Sequence, residues 1–313
     1  MRAGQPKKLS KTRAATVSVA SNSALIALKL AAGIATGSVS IFAEAIHSLL
    51  DLAAAGIAFF SVRLSDRPAD AQHPFGHGKI EAVSGFVEAI LIVGASAAIF
   101  WQAANRIRTG AGIEFAEAGI AVMVASMVVN IFVSRWLYHA ARATDSLALE
   151  ADAGHLWADV FSSLAVVIAL IVVRLTGVKI LDPLVAIGVG VYILKIAYDL
   201  LRKSFGMLID ESLPPADQAE IKRCIEEHTR LLVGYHELRT RKLGSQHQID
   251  LHLVMPRDAT VAETHELCDH LESDLRSRIP RAEITIHVEP CPDECATCAA
   301  ACSLPGRGHA TTA

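Results

Sequence analysis

Two polar stripes inside apolar stretches carry the residue types best suited to chemistry in this sequence. The first has the spacing that places its members on one face of a helix, and it consists of Ser40, Glu44, His47 and Asp51. The second, much later in the chain, also has helical spacing, and it consists of Asp152, His155, Asp159 and Ser162. Each stripe therefore contains a histidine followed four residues later by an aspartate.

If the two helices face each other, His47, Asp51, His155 and Asp159 would surround one point. Four nitrogen and oxygen ligands suit the tetrahedral coordination that zinc prefers, and imidazole favours zinc, copper, iron or nickel over magnesium and calcium. Coordination would also offset the burial of charge at membrane depth, which costs about 2.5 to 3.5 kcal/mol per residue on insertion scales. The stripes predict an intramembrane metal site.

A structural explanation stays open for single residues. One histidine or aspartate in a helix is more often a hydrogen-bonded structural residue than a ligand, but two copies of the pair at membrane depth favour a metal or proton site. Glu44 and Asp152 fit a supporting role, a place along a pathway or a helix end. Packing or inter-helix hydrogen bonds better explain the other polar residues within the apolar stretches, namely Asn22, Lys29, Glu88 and Asn130.

The elements that carry the stripes are long and apolar. Hydrophobic residues make up 52% and charged residues 19% of the 313 positions, and the mean hydropathy is +0.39, whereas a soluble domain would be about a quarter charged. A bilayer-spanning helix takes about 20 residues, and the stretches of sufficient length are 14–36, 40–62, 82–104, 115–137, 152–174 and 181–203. The first runs into the second without a convincing cleavage site, which predicts a span rather than a signal peptide.

Basic residues favour one orientation of the six predicted spans. They are concentrated in the N-terminal arm, in the second and fourth connections and after the last span, which the positive-inside rule assigns to the cytoplasm. Both termini are therefore predicted to be cytoplasmic, although Arg106 and Arg108 on the other side run against this assignment. The net charge of -3 does not indicate the basic surface that a nucleic-acid-binding protein needs.

The connection after the second stretch, RPADAQHPFGHGKIE, contains Asp70, His73 and His77. Their spacing, with the tight bend expected at Pro74 and Gly76, makes them a candidate second metal site at the cytoplasmic mouth. Incidental histidines in a solvated loop are the alternative, which the residues alone leave open.

From Ser212 onward the sequence predicts a soluble α+β domain. A helix to about His228 is followed by strands at 233–242 and 247–255, a helix at 260–278 and a strand at 283–289. This α-β-β-α-β order indicates helices packed on one face of a small sheet.

Alternation along the last two strands separates a core face from a face that could bind metal. The residues predicted to point inward are Ile249, Leu251, Leu253, Met255, Ile284, Ile286 and Val288. His252, His287 and Glu289 then lie on the outer faces, where two ligands at i and i+2 make a candidate half-site. Periodicity leaves open whether His236 and His265 join them, and whether these histidines are simply solvated.

The C-terminal segment EPCPDECATCAAACSLPG contains the thiols of Cys291, Cys295, Cys298 and Cys302. Disulfides are rare in a reducing cytoplasm, whereas thiolates suit zinc or Cu(I). The spacing matches no zinc-finger pattern. The four closely spaced thiols nevertheless favour a metal-binding tail, with an inert tail as the alternative.

The motifs IHSLLD in the second stretch, HPFGHGK after it and HLWAD in the fifth, together with the histidine-bearing C-terminal domain, resemble the cation diffusion facilitator family. The resemblance runs from about residue 10 to residue 290. It implies a homodimeric metal/proton antiporter with a membrane all-α six-helix domain and a small α+β cytoplasmic domain. The organisation expected is a cytoplasmic N-terminal arm (1–13) and a transport domain (14–205). A metal-binding and dimerisation domain (206–290) and a Cys-containing tail (291–313) follow.

The family's site residues carry over by motif. The transport site implied is His47, Asp51, His155 and Asp159, and the loop site implied is Asp70, His73 and His77. The paired metal sites that stabilise the dimer interface of the cytoplasmic domain would use His236, His252, His265, His287 and Glu289. An inter-subunit charge pair near the membrane would be Lys79 and Asp210.

Two departures from the family pattern matter. Bacterial members of the zinc/iron type have aspartate where this chain has His47, and the His-Asp/His-Asp combination instead resembles zinc-selective branches. Glu289 replaces a more usual aspartate, which leaves the geometry at that position open. The cysteine tail has no counterpart in the common pattern.

The function implied is export of Zn²⁺ in exchange for protons, by a protein embedded in the lipid bilayer of a bacterial inner membrane, with Zn²⁺ also bound as a regulator in the cytoplasmic domain. Export of Fe²⁺, Cd²⁺, Mn²⁺ or Co²⁺ by the same mechanism is the alternative. A membrane-anchored metal sensor and an intramembrane metalloenzyme are rivals from other classes. Four protein ligands would close the shell that a catalytic zinc keeps open, so the chain is not expected to be an enzyme.

Overall fold

The computed structural model describes residues 10–36, 39–109, 117–178, 180–228 and 232–291. Within these ranges the side chains of residues 36, 39–44, 46, 47, 117–119, 170 and 174 are not described. The chain divides into two compact units, a helical one up to Leu208 and an α+β one from Ile209.

Six long helices make up the described part of the first unit. They are α1 (Lys11–Thr36), α2 (Val39–Ser65), α3 (Ile80–Thr109), α4 (Glu117–Thr144), α5 (Leu147–Thr176) and α6 (Leu181–Leu208). All six contain a segment long and apolar enough to cross a membrane, which confirms the predicted number of spans. Helix α5 begins five residues before its predicted span, just after the N-cap Ser146, whose side chain accepts a hydrogen bond from the backbone N–H of Leu149.

The side chains buried between these helices are mostly small. Ala54 and Ala58 on α2 and Ala148 on α5 are fully buried, whereas Trp101 on α3 and Leu175 on α5 are 71% and 81% exposed. In a bilayer a large apolar side chain gains nothing by leaving lipid, and small residues let helix backbones approach closely. The first unit therefore has the side-chain distribution of a membrane-spanning bundle.

Helices α3 and α6 approach closely at Gly190. The Ser96 hydroxyl on α3 donates to the carbonyl oxygen of Gly190 over 2.9 Å, and a Cβ atom on Gly190 would lie 2.9 Å from Cε1 of Phe100. We expect Gly190→Ala to lower the free energy of unfolding by about 1–3 kcal/mol, because the aromatic ring would have to move. Thermal unfolding in detergent measures the effect.

Gly188 provides the matched control on the same helix. A Cβ atom there meets nothing within 4 Å, so Gly188→Ala should unfold like the unsubstituted protein. Equal transition temperatures for the two alanine variants would contradict the close approach at Gly190.

The second unit has the predicted order of elements. It contains α7 (Pro215–Glu227), β1 (Gly234–Leu243), β2 (Gln246–Met255), α8 (Val261–Arg278) and β3 (Ala282–Pro290). Strand β2 is central, antiparallel to β1 and parallel to β3, and helix α8 makes the crossover that a parallel pair requires. As predicted, Ile249, Leu251 and Leu253 point into a core shared with α7 and α8.

A β-bulge between His236 and Arg239 changes the register of the β1–β2 pair. Glu237 in the bulge has a φ of 50°, and bulges of this kind re-aim the neighbouring side chains. His236 pairs with His252 across the antiparallel ladder, and His252 pairs with His287 across the parallel one. The three strands thus align three histidines in a row across the sheet.

Candidate metal sites

Three of the four predicted transport-site side chains converge inside the helical unit. Asp51 on α2 and His155 and Asp159 on α5 each offer a ligand atom, and these atoms all lie within 4.8 Å of one another. The distance from His155 Nε2 to Asp51 Oδ1 is 3.4 Å. His47 is one helical turn before Asp51 on α2, but its side chain lies outside the described ones.

These ligand groups are removed from water. Asp51 and His155 are 6% and 7% exposed, and Asp51 lies near the middle of α2. His155 Nδ1 makes no hydrogen bond with the residues that the structure describes, although a buried polar group without a partner costs about 1–3 kcal/mol. The cluster therefore combines buried nitrogen and oxygen donors of the types that bind transition metals.

A cavity of about 520 Å³ leads away from this cluster. It is lined by Asp51 and Asp159 at one end and by Arg106 and Asp182 at the other, where Arg106 Nη1 lies 3.1 Å from Asp182 Oδ2. Arg106 is in the last turn of α3 and Asp182 in the first turn of α6. The cavity thus connects the ligand cluster with one end of the helical unit.

The opposite helix ends meet in a buried polar network that we name the Glu81 cluster, made of Lys11, Ser65, Glu81 and Ser146. Glu81, in the first turn of α3, is fully buried. Lys11 Nζ lies 2.7 Å from its Oε1 atom and the Ser65 hydroxyl 3.0 Å from the same atom. The Ser146 hydroxyl donates to Oε2 over 2.6 Å. One carboxylate therefore ties together α1, α2, α3 and the start of α5.

The polar residues outside the two stripes have different surroundings. Lys29 Nζ donates to the Ser48 hydroxyl over 2.7 Å, which confirms the predicted inter-helix hydrogen bond, and Asn130 lines the cavity. The carboxyl oxygens of Glu88 make no hydrogen bond within the described part of the chain, which excludes the hydrogen-bond alternative for this residue. The side chain of Glu44 lies outside the described ones.

The loop residues also come together. Ligand atoms of Asp70, His73 and His77 all lie within 4.8 Å of one another, and a turn at Gly76 with a φ of 81° brings the two imidazole rings to 4.5 Å. The backbone N–H of His73, followed by that of Gln72, donates to Asp70 and holds the pKa of its carboxyl below the usual value. Asp70 is therefore a charged ligand candidate at neutral pH.

A third group lies on the outer face of the sheet in the second unit. Ligand atoms of His236, His252 and Glu289 all lie within 4.8 Å of one another. His252 Nδ1 is 2.8 Å from Glu289 Oε1, and His236 Nε2 is 3.1 Å from Glu289 Oε2. The bond from His252, reinforced by that from His236, lowers the pKa of Glu289. His287 Nε2 lies 3.6 Å from Glu289 Oε1.

His265 and Val288, two further residues of this unit for which the sequence made predictions, line one cavity. His265 on α8 is not in the group of three, but it shares a cavity of about 520 Å³ with Glu289, and its Nε2 lies 3.7 Å from Asp269 Oδ2. Val288 lines the same cavity as Ile286 and residues of α8, the side on which it was predicted, but it is 38% exposed. Ile284 is buried as predicted, so the inner face of β3 is buried at the start of the strand and becomes exposed toward its end.

The charge pair and the cysteine tail stay predictions. Lys79 Nζ lies 3.4 Å from the carbonyl oxygen of Leu208, and Asp210 Oδ2 lies 3.2 Å from Arg241 Nη1. Cys291 is buried, and its backbone N–H donates to Met255. Cys295, Cys298 and Cys302 lie outside the described residues.

Comparison with known proteins places these features in context. The chain matches the cation efflux transmembrane domain over residues 15–209 and the cytoplasmic domain of cation efflux proteins over residues 213–291. The uncharacterized transporter sll1263 of Synechocystis sp. (strain ATCC 27184 / PCC 6803 / Kazusa) is 37% identical over 279 residues, which cover 89% of this chain and 90% of that protein. The cation-efflux pump FieF of Salmonella newport (strain SL254) is 33% identical over 280 residues, covering 90% and 93%.

A solved structure concerned with the mode of action of the candidate zinc transporter CzrB is 38% identical to part of the chain. The match covers 26% of this chain and 99% of that one, with a TM-score of 0.25.

Six apolar helices define an integral membrane protein. The chain belongs to the cation efflux family, the cation diffusion facilitators, as its motifs predicted. Members of this family are membrane transporters of metal cations rather than enzymes, and the α+β unit is the family's cytoplasmic domain.

Proposed function

We propose that the protein exports a divalent cation, Zn²⁺ in the first place, in exchange for protons across a bacterial inner membrane. The observation that carries this proposal is the convergence of Asp51, His155 and Asp159 from two membrane-spanning helices. His47, one turn from Asp51, would complete a four-ligand transport site. Two imidazoles and two carboxylates suit tetrahedral zinc, and Fe²⁺, Cd²⁺, Mn²⁺ or Co²⁺ is the alternative substrate.

The two ends of the helical unit support an alternating-access mechanism. The cavity that reaches Asp51 and Asp159 extends toward Arg106, while the Glu81 cluster ties the opposite helix ends together. Rocking of helices around a central site opens one end as it closes the other. We assign the Glu81 cluster to the cytoplasmic face, with both termini, because basic residues are concentrated there.

Protons and metal would exchange at the same atoms. Imidazole nitrogen and carboxylate oxygen bind a cation only through lone pairs that a proton also occupies, so metal binding releases protons and proton binding displaces metal. A site opening alternately to two compartments of different pH would therefore couple an inward proton flow to outward metal movement.

The cytoplasmic domain would act as a zinc-responsive dimerisation unit. His236, His252 and Glu289, with His287 and His265 nearby, offer the nitrogen and oxygen donors that zinc binds. Zinc there would draw two copies of the domain together and favour transport when cytoplasmic zinc is abundant. Lys79 and Asp210 would form the inter-subunit charge pair, and Asp70, His73 and His77 would bind zinc at the cytoplasmic mouth.

Purified protein in liposomes tests the transport proposal. Zinc should move in proportion to an imposed pH gradient, and an internal pH dye should report proton movement in the opposite direction. Zinc binding without movement would favour a membrane-anchored sensor and contradict the proposal. Competition by Cd²⁺, Fe²⁺, Mn²⁺ and Co²⁺, in the unsubstituted protein and in His47→Asp, would identify the preferred substrate.

Glu289→Gln is expected to weaken zinc binding to the cytoplasmic domain at least about tenfold, because a neutral amide replaces an ionised ligand. Titration of the full-length protein against a chromophoric zinc chelator at neutral pH measures this loss. Glu283→Gln is the matched control, since Glu283 is an exposed residue on the same strand. Equal zinc affinity in the two variants would remove Glu289 from the proposed site.

A further inference from the structure

Several buried polar side chains of the helical unit make no hydrogen bond with the described residues, and three of them, on α1, α3 and α5, lie beside the proposed transport site. They are Ser18 on α1, Glu88 on α3 and Asp152 on α5, with exposures of 0%, 0% and 1%. The Ser18 hydroxyl and all four carboxyl oxygens of the two acidic residues are without a hydrogen-bond partner among the described residues. We name these three residues the inner site.

The helices that carry the inner site pack against one another, α3 with α5 in one buried cluster and α1 with α5 in another. The charges of Glu88 and Asp152 are close enough to interact, and the Ser18 hydroxyl approaches the Asp152 carboxyl without forming a hydrogen bond of normal geometry. The other charged groups that act on Asp152 are His155 and Asp159. Three packed helices therefore each contribute a buried oxygen-bearing side chain to the region around Asp152, which is three residues before His155 of the proposed transport site.

The rise of the helices gives the depth of the inner site. Ser18 and Glu88 are each seven residues beyond a member of the Glu81 cluster, Lys11 and Glu81 respectively, which is about 10 Å at 1.5 Å per residue. Asp152 is six residues beyond Ser146, or about 9 Å. All three residues are thus at a similar distance from the Glu81 cluster.

The proposed transport site lies further along the same axis. Asp159 is thirteen residues beyond Ser146, or about 20 Å, and Asp51 is fourteen residues before Ser65 on α2, or about 21 Å. The order along the bundle is therefore the Glu81 cluster, the inner site, the proposed transport site and then the cavity toward Arg106.

Two carboxylates in this position are costly for the fold. Burial of an ionised carboxylate without a partner costs several kcal/mol, and the charge of Asp152 adds to the cost of ionising Glu88. A divalent cation in passage would neutralise both charges and supply a partner for the oxygens. Carboxylate and hydroxyl oxygens are suitable ligands for a divalent cation.

We infer that Ser18, Glu88 and Asp152 form a second cation site, made of oxygen ligands alone, which the transported divalent cation occupies between the cytoplasm and the transport site. This inference rests on the proposed function. Without an imidazole ligand the inner site holds a transition metal less tightly than the transport site does. A cation can therefore enter there and still move on, as conduction through successive sites requires.

Zinc transport by Glu88→Gln, Asp152→Asn and the double variant in liposomes tests the inner site. Each single change removes one ligand charge and should raise the KM for zinc at the cytoplasmic face about tenfold, because cation affinity follows the number of charged ligands. Glu150→Gln is the matched control, since Glu150 is on the same helix but pairs with Lys203 at 2.5 Å and should leave KM unchanged.

Thermal stability separates a cation site from a structural role. Removing a buried carboxyl group that makes no hydrogen bond should leave the unfolding temperature of the Gln and Asn variants equal or higher, while zinc KM rises. Lower stability with an unchanged KM would overturn the inference. Should either variant fail to fold, Ser18→Ala, which removes one neutral ligand, should still raise KM about threefold.

The possible failures are distinguishable. A protein that moves no zinc in its unsubstituted form contradicts the proposed function. Zinc transport with the same KM in the double variant and in Glu150→Gln contradicts the inner site alone. A double variant that changes the pH dependence of transport at an unchanged zinc KM would assign the two carboxyls to protons and likewise overturn the inference.

Discussion

Asp159→Asn is expected to lower the rate of zinc transport into liposomes by at least about a hundredfold, given that even the supporting residues of a metal site can be worth ten- to a hundredfold. The substitution keeps the shape of the side chain but replaces a charged ligand by a neutral one. Asp159 contributes one of the three described ligand atoms that lie within 4.8 Å of one another. Asp51→Asn should have an effect of the same size from the facing helix.

Asp199→Asn controls for the chemistry of the substitution. Asp199 is an exposed residue of α6, so its conversion to asparagine should leave the transport rate within about twofold of the unsubstituted protein. Zinc uptake by Asp159→Asn at the rate of this control would show that the carboxylate is not a ligand for the substrate.

Glu81→Ala is expected to reduce the stability of the helical unit by about 3–5 kcal/mol, which is typical when one partner of a buried ion pair is removed. The alanine would take away the buried acceptor of the Lys11 ammonium and of the Ser65 and Ser146 hydroxyls. Denaturation in detergent, followed by the loss of helical circular dichroism, measures the change.

The double variant Lys11→Met/Glu81→Leu tests the cause of that loss. Replacing both partners of a buried pair with apolar residues is often close to neutral, so the double variant should recover a large part of the stability. A double variant that is no more stable than Glu81→Ala would show that the lost hydroxyl contacts of Glu81, rather than the unpaired ammonium, cause the destabilisation.

The spans and the metal-ligand stripes could be predicted because both signals are local. Apolar stretches of sufficient length specify membrane helices, and the spacing of Asp51, His155 and Asp159 follows from the helical repeat. That their ligand atoms converge required the structure, since no pattern within one helix reports which neighbour it faces. The side chain of His47 lies outside the described ones, so its place in the transport site stays a prediction.

The Glu81 cluster could not be predicted from any pattern of this kind. Its members come from four elements, each contributes one residue at a helix end, and a glutamate at the start of a helix is ordinarily a favourable partner of the helix dipole. Burial of Glu81 and its contacts with Lys11 and Ser146 arise only when the helices pack. The register change after His236 could likewise not be predicted from the sequence. A β-bulge depends on how two strands pair, whereas the alternation of apolar and polar residues reports only on a single strand.

The parallel pairing of β2 with β3 has a consequence for synthesis on the ribosome. The central strand gains its second neighbour only after the chain has been extended through α8 to residue 290, and Glu289 is carried by that last strand. A nascent chain therefore exposes an open sheet edge, prone to aggregation, until translation of this domain is almost finished. Premature termination before residue 282 should leave an inserted helical bundle whose cytoplasmic domain lacks β3 and the candidate metal ligand Glu289.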